Sequence, residues 1–221
     1  MRFLKILARW IFIISIPLFC LTFAVNCEFS TAWFYTRGFE QYNVDLQTGL
    51  SQEDLAKIAD KFVEYFNSSQ ERISITFGDN GLPLFTPNEV THFQDVKNLV
   101  VFDRRVMLGS LGIILLGVIW WRRDRRNLGK SLLAGGVLTA VLLVLFMVGA
   151  GANFDWLFLQ FHLLAFNNNF WYSNGYMTML FPQEFWYDMA MFTILITAVT
   201  AAVIGGAGYL LMYFTPKKEN K

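Results

Sequence analysis

A chain of 221 residues that is 55% hydrophobic, 17% aromatic and only 16% charged has the composition of a membrane protein rather than a soluble domain. Its formal net charge of +1 gives it no polyanion-binding character, and no nucleic-acid partner is expected. The expected fold class is a mainly α membrane protein with four transmembrane helices, a small α+β extracytoplasmic domain between helices 1 and 2, and an aromatic-rich extracytoplasmic segment between helices 3 and 4.

Residues 1–25 are read as the first span. Its apolar run extends from about Trp10 to Val25, contains Pro17, and follows Arg2, Lys5 and Arg9. A basic start before an apolar run also suits a secretory signal. No small-x-small cleavage site follows, however, and no small residue precedes Cys20 or Cys27 as lipoprotein processing requires, so an uncleaved anchor is expected. The two cysteines are seven residues apart on one helix, about 10 Å by its rise, which is too far to bridge.

Residues 26–104 are assigned to the extracytoplasmic domain. Within it, 28–50 (Trp33, Phe34, Tyr35, Phe39, Tyr42) has no clear period and is expected as irregular chain with strand character near the membrane surface. Ser51, with Asp54 three residues on, has the pattern of a helix N-cap. Leu55, Ile58, Ala59, Phe62, Val63 and Phe66 then recur at helical spacing, predicting a helix that packs its apolar face on the domain or lies flat on lipid. Arg72–Phe77 alternates like a half-buried strand, Gly78-Asp79-Asn80-Gly81 is a turn, and Leu82–Phe85 returns as an edge strand because Pro83 bars a central one.

Thr86, Pro87 and Glu89 form a capping box that opens a second helix. His92 lies three residues after Glu89 and three before Asp95, so all three share one side. Asp95 can accept a hydrogen bond from the imidazole and favour its charged form. The alternative is a solvated helix face with ordinary ion pairs, Lys97 included.

The second span is 105–121, where Val106–Trp121 is short and Arg104 and Arg105 stand at its outer end. A basic loop, 122–130, holds Arg122, Arg123, Arg125, Arg126 and Lys130, and the third span is 131–154. Residues 155–188 form an interfacial segment, 189–215 the fourth span, and 216–221 a tail with Lys217, Lys218 and Lys221. The last two spans carry no internal charge, which argues against an ion pathway. Since 153–188 contains no Lys or Arg, the positive-inside rule puts both termini and the basic loop in the cytoplasm, with 26–104 and 155–188 outside.

The interfacial segment holds His162, the second of only two histidines, followed by Asn167, Asn168, Asn169 and Trp171. A polar ring among apolar neighbours needs a partner, although these side chains could simply tie the segment to lipid headgroups. Gly175 permits a turn, and Phe181-Pro182-Gln183-Glu184 starts the helix of the fourth span.

Neither Gly-x-Ser-x-Gly, His-Glu-x-x-His nor a phosphate-cradling glycine loop is present. His92 and His162 with Glu89 and Asp95 lack a strong metal-ligand spacing, so neither a metal nor another cofactor is expected. Two imidazoles without a protein nucleophile suit a substrate that brings its own, and a site at the outer lipid surface makes that substrate a lipid or a lipid-modified protein. Two other readings stand beside this one: a non-enzymatic membrane sensor or assembly protein, and a metal-dependent membrane hydrolase.

Glu89-x-x-His92-x-x-Asp95-Val96-Lys97, taken with Phe161-His162, the Asn-rich chain, Trp171 and Phe181-Pro182, resembles the lipoprotein intramolecular transacylase (Lit) family of Gram-positive bacteria. The likeness spans nearly the whole chain. One departure is visible: the family commonly has an acidic residue ahead of the Leu-Phe-Pro run, where Asn174 and Gly175 stand here. The resemblance implies transfer of the sn-2 acyl chain of a lipoprotein's diacylglyceryl group to the α-amine of its N-terminal cysteine, giving the lyso form. Diacylglyceryl-modified lipoproteins and membrane lipid would be the partners; oligomeric state is left open. His92 and His162 would be catalytic, supported by Glu89, Asp95, Lys97, Asn167, Asn168 and Trp171. Asp95 beside His92 favours His92 as base and His162 as acid and oxyanion donor.

Overall fold

The computed structural model describes residues 2–77 and 81–215. Gly78, Asp79 and Asn80 of the expected turn and the tail 216–221 lie outside them. The chain is mainly helical: α1 (Arg2–Phe29), α2 (Ala32–Gln41), α3 (Val44–Thr48), α4 (Gln52–Asn67), β1 (Thr76–Phe77), β2 (Leu82–Pro83), α5 (Pro87–Trp121), α6 (Arg125–Ala152), α7 (Phe154–Ala165), α8 (Tyr176–Leu180) and α9 (Gln183–Tyr213). It divides into two compact units. The first takes the chain up to Ala24, Asp103–Gly151 and from Thr193 onward; the second takes Val25–Phe102 and Ala152–Phe192.

Three helices are long and apolar enough to cross a membrane, α1 over Phe3–Phe29, α6 over Arg125–Gly149 and α9 over Gln183–Tyr213. The span expected in α5 is not among them; its apolar stretch between Arg105 and the helix end at Trp121 is 16 residues long. In the first unit, Phe12, Ile16, Cys20, Ile114, Leu128 and Ala201 form a buried cluster. The backbones of α6 and α9 touch at glycine. A Cβ on Gly129 would come within 2.6 Å of the Gly208 carbonyl, so any side chain there would push the helices apart.

The second unit is built on aromatic rings. Phe62, fully buried on α4, meets Tyr35, Phe66, Phe85, Phe93 and Phe181 with centroids 5.0–6.2 Å apart. Pairs of this kind each add about 0.5–1.5 kcal/mol beyond their area. The α4 face expected from spacing is the one buried, with Tyr65 added and Val63 only half-buried, and Ser51 Oγ accepts from Asp54 N at 3.1 Å as its cap.

Residues 28–50 are not strand-like. They form α2 and α3, joined through Asn43 at φ +50, and α3 ends at Gly49 at φ +70. Burial of Tyr35, Gly38 and Phe39 gives the i, i+3, i+4 spacing of a helix, with Gly38 in a position where no apolar side chain marks the period. The hairpin is shorter than expected. Thr76 pairs with Pro83 and Phe77 with Leu82, Leu84 N donates to the Ile75 carbonyl at 2.9 Å, and Ile73 and Ile75 keep the buried phase. The third helix breaks at Asn153 rather than after 154. The Asn153 side chain accepts from Trp156 N at 2.9 Å and caps α7, a helix where none had been assigned.

Candidate active site

The site begins at the capping box of α5. Glu89 Oε2 accepts from Thr86 N at 2.9 Å and from Thr86 Oγ1 at 3.0 Å, as the box requires. Glu89 is also wholly buried, and its other oxygen accepts from Ser173 Oγ at 2.8 Å and Met177 N at 3.1 Å. One carboxylate therefore ties the start of α5 to the 173–177 turn. Gly175 is required there, since a Cβ would stand 2.3 Å from Glu89 Oε1. A buried carboxylate with four donors satisfied is stable where it is, and costly to disturb.

His92 lies one turn further along and is 7% exposed. Phe166 meets it edge-on with centroids 4.8 Å apart, and the His162 ring lies 6.1 Å away with planes 26° apart. Its Nδ1 is buried with no hydrogen-bond partner. Burial pushes the His92 pKa down to about 4; the neighbouring His162 adds to this, and Asp95 opposes both more weakly.

His162 is the one buried residue of α7. Phe158, Trp171, Phe161 and Phe166 surround its ring, at 4.3, 4.9, 5.4 and 5.5 Å between centroids. Burial lowers its pKa, opposed by a bond to the Phe158 carbonyl. That bond joins His162 Nδ1 to Phe158 O at 2.8 Å. A carbonyl oxygen only accepts, so the proton sits on Nδ1 and the lone pair on Nε2. Burial thus disfavours the charged form of both imidazoles.

The expected support is arranged differently. Asp95 does not bond His92; its Oδ2 accepts from Asn168 Nδ2 at 2.9 Å, while Asn168 Oδ1 accepts from Phe170 N at 3.0 Å. Lys97 is not on a solvated face. It is buried, donates to the carbonyls of Tyr65 at 2.6 Å and Gln70 at 2.5 Å, and lies 4.3 Å from the Tyr65 ring centroid. Asn167 is exposed. Trp171 walls His162, joined by Phe158 and Phe166, which the sequence did not single out; Phe158 lies one turn before His162 on the same helical face, and Phe166 is the extended residue that ends α7. Ser173 was also missed, and nothing in its local sequence marks it. Among the described residues, no three His, Cys, Asp or Glu side chains converge as metal ligands would.

A family model described as lipoprotein intramolecular transacylase Lit matches residues 10–186. Among solved structures, the chain is similar to the in meso structure of the membrane integral lipoprotein intramolecular transacylase Lit from Bacillus cereus. The TM-score is 0.84 at 22% identity, with 96% of this chain and 98% of that one covered. Two variants of the Bacillus cereus protein, with one histidine changed to Arg or Ala, match at TM-scores of 0.78 and 20% identity over 95% of this chain and 92% and 94% of theirs. At these identities the structures speak to fold. No curated protein matches.

Proposed function

The chain belongs to the lipoprotein intramolecular transacylase family, a family of membrane acyltransferases, and from that premise we propose how its two histidines move an acyl chain within one lipoprotein. The α-amine of the N-terminal cysteine, in its neutral form, attacks the sn-2 ester carbonyl carbon. His162 Nε2 takes the proton from the nitrogen that has formed the new bond. The sn-2 C–O bond then breaks, and His162 Nε2 returns the proton to the departing glycerol oxygen. An amide and a free sn-2 hydroxyl result, which is the lyso form. His92 faces the carbonyl oxygen and donates to the charge developing there. Holding amine and ester in one molecule supplies much of the rate advantage.

The observation that carries this reading is the bond from His162 Nδ1 to the Phe158 carbonyl, which leaves the Nε2 lone pair of the neutral ring available as the base. Asp95, whose Oδ2 accepts from Asn168, gives His92 no hydrogen bond, and this supports taking His162 rather than His92 as the base. His92 Nδ1, buried and unpartnered, best suits the tautomer that carries its proton on Nε2.

We further propose four spans, with Val106–Trp121 of α5 as the fourth, both termini cytoplasmic and the histidine pair on the outer side. The charge asymmetry between 122–130 and 153–188 supports this. So does α7, where Trp156, Leu159, Phe161, Leu163 and Leu164 are exposed and only His162 is buried, as in a helix immersed in the outer lipid surface. A diacylglyceryl chain could then reach His162 without leaving the bilayer.

The test is conversion of a diacylglyceryl lipopeptide to its lyso form, scored by mass spectrometry. His92→Gln and His162→Gln should each slow it by about 10²–10⁴. The double variant should be little slower than the poorer single one, since the pair acts as a unit. Wild-type rates in either single variant would refute the mechanism.

A further inference from the structure

The second unit carries a charged feature that the acyl-transfer chemistry does not use. Arg37 is exposed on α2, its guanidinium 5.5 Å from the Trp33 ring centroid and 5.9 Å from that of Phe192. Trp33 and Phe192 themselves pack edge to face at 5.6 Å. Below lies a shallow recess floored by Phe34, Phe185, Met189 and Phe192. The recess exists because Gly38 lets α2 settle on Phe185, whose ring would be 2.3 Å from a Cβ there.

Among the described residues, Arg37 pairs with no carboxylate. Glu40, three residues on, is within a helical turn but forms no ion pair with it. Asp188, on the rim, is held by Gln41 Nε2 and Tyr42 Oη, each at 2.7 Å. A guanidinium laid against aromatic faces keeps its N–H edge free, and that fork matches two oxygens of one phosphate.

We propose that this recess binds one membrane phospholipid, its phosphodiester on Arg37 and an acyl chain along Phe34, Met189 and Phe192. The free guanidinium edge of Arg37 calls for an anion, since Asp188 is taken up by Gln41 and Tyr42, and the apolar floor calls for one with hydrocarbon attached. The occupant is not the substrate lipid of the reaction proposed above, since a diacylglyceryl thioether carries no phosphate. Acyl transfer and this site therefore stand or fall separately.

The experiment is native mass spectrometry of the purified full chain, titrated with phosphatidylglycerol, with diacylglycerol or with inorganic phosphate. Wild type should hold one phosphatidylglycerol that diacylglycerol does not replace and millimolar phosphate does not displace. Arg37→Gln should weaken retention about tenfold, as loss of a charge-assisted contact does, and Arg37→Lys should weaken it less. Arg123→Gln, an exposed cation in the basic loop, should change nothing. Equal retention by Arg37→Gln, equal loss in Arg123→Gln, or displacement by free phosphate would each overturn the proposal. Thermal unfolding of each variant separates lost binding from lost fold.

Discussion

The dependence of rate on pH distinguishes the proposed proton inventory from its nearest rival. With His92 pushed down to about 4 and His162 also lowered by burial, the imidazolium form of both rings is disfavoured near neutrality. The substrate amine, with an ordinary pKa near 8, is then the group that titrates. Its neutral fraction is about 1% at pH 6 and about 50% at pH 8, so the rate at subsaturating substrate should rise about 50-fold across that interval and level off above it. A mechanism whose active form holds one more proton, an imidazolium with a free amine, behaves differently. Its rate is flat from about pH 5 to 7, since one fraction falls as the other grows, and drops tenfold per unit above about 8. The assay is initial rate of lyso-lipopeptide formation from pH 5.5 to 9.5, at lipopeptide well below saturation. A flat limb that falls above pH 8 would refute the neutral pair. The range stops at 5.5 because a depressed histidine pKa leaves the unfolded chain binding more protons. Stability is therefore lost as pH falls from about 6.5 towards 4, and none is lost above.

Three further outcomes are expected. Glu89→Gln turns an amide donor towards groups that already donate, and should destabilise the chain by about 3 kcal/mol. Gly175→Ala, which collides with the same oxygen, should lower the apparent Tm in step with it; an unchanged Tm in both would mean the carboxylate holds nothing. Cysteines introduced at the exposed positions Asn88 and Asn167, in a Cys20→Ala, Cys27→Ala background, should react with an impermeant maleimide on intact cells, while one at Arg123 should not; the reverse pattern would invert the topology. Turnover should survive EDTA, given how poorly the acidic and imidazole groups converge; loss restored by zinc would favour a metal enzyme.

Much of the site could be read from the chain because its parts are helical and local. Thr86, Pro87 and Glu89 start α5 as their types dictate, and the i, i+3 spacing puts His92 one turn from Glu89. What escaped were the partners distant in sequence. Spacing places Asp95 on the side of His92, but side-chain rotamer decides the bond, and Asn168, 73 residues away, takes it. The second oxygen of Glu89 crosses 84 residues to Ser173, which no local pattern announces. Lys97 reads as a surface cation because its stem and charge give no hint of the carbonyls of Tyr65 and Gln70. In 28–50, aromatic richness suggested strand, and tertiary burial of one face settled on helix.

The sparse burial of α7 bears on how such a chain drifts. A side chain that packs on protein must fit a shape, whereas one that meets acyl tails must only be apolar, since tails are as apolar as leucine itself. Under the lipid immersion proposed above, Leu159, Phe161, Leu163 and Leu164 would be interchangeable with most hydrophobic residues, and the same would hold for exposed faces of the long helices such as Leu115, Leu116, Val144 and Leu145. His162 alone on α7 is pinned by its surroundings. Positions of the first kind accumulate substitutions without recording them in the backbone. Two chains can then share a TM-score of 0.84 while agreeing at 22% of their residues, because lipid reads only hydrophobicity and leaves the spelling free.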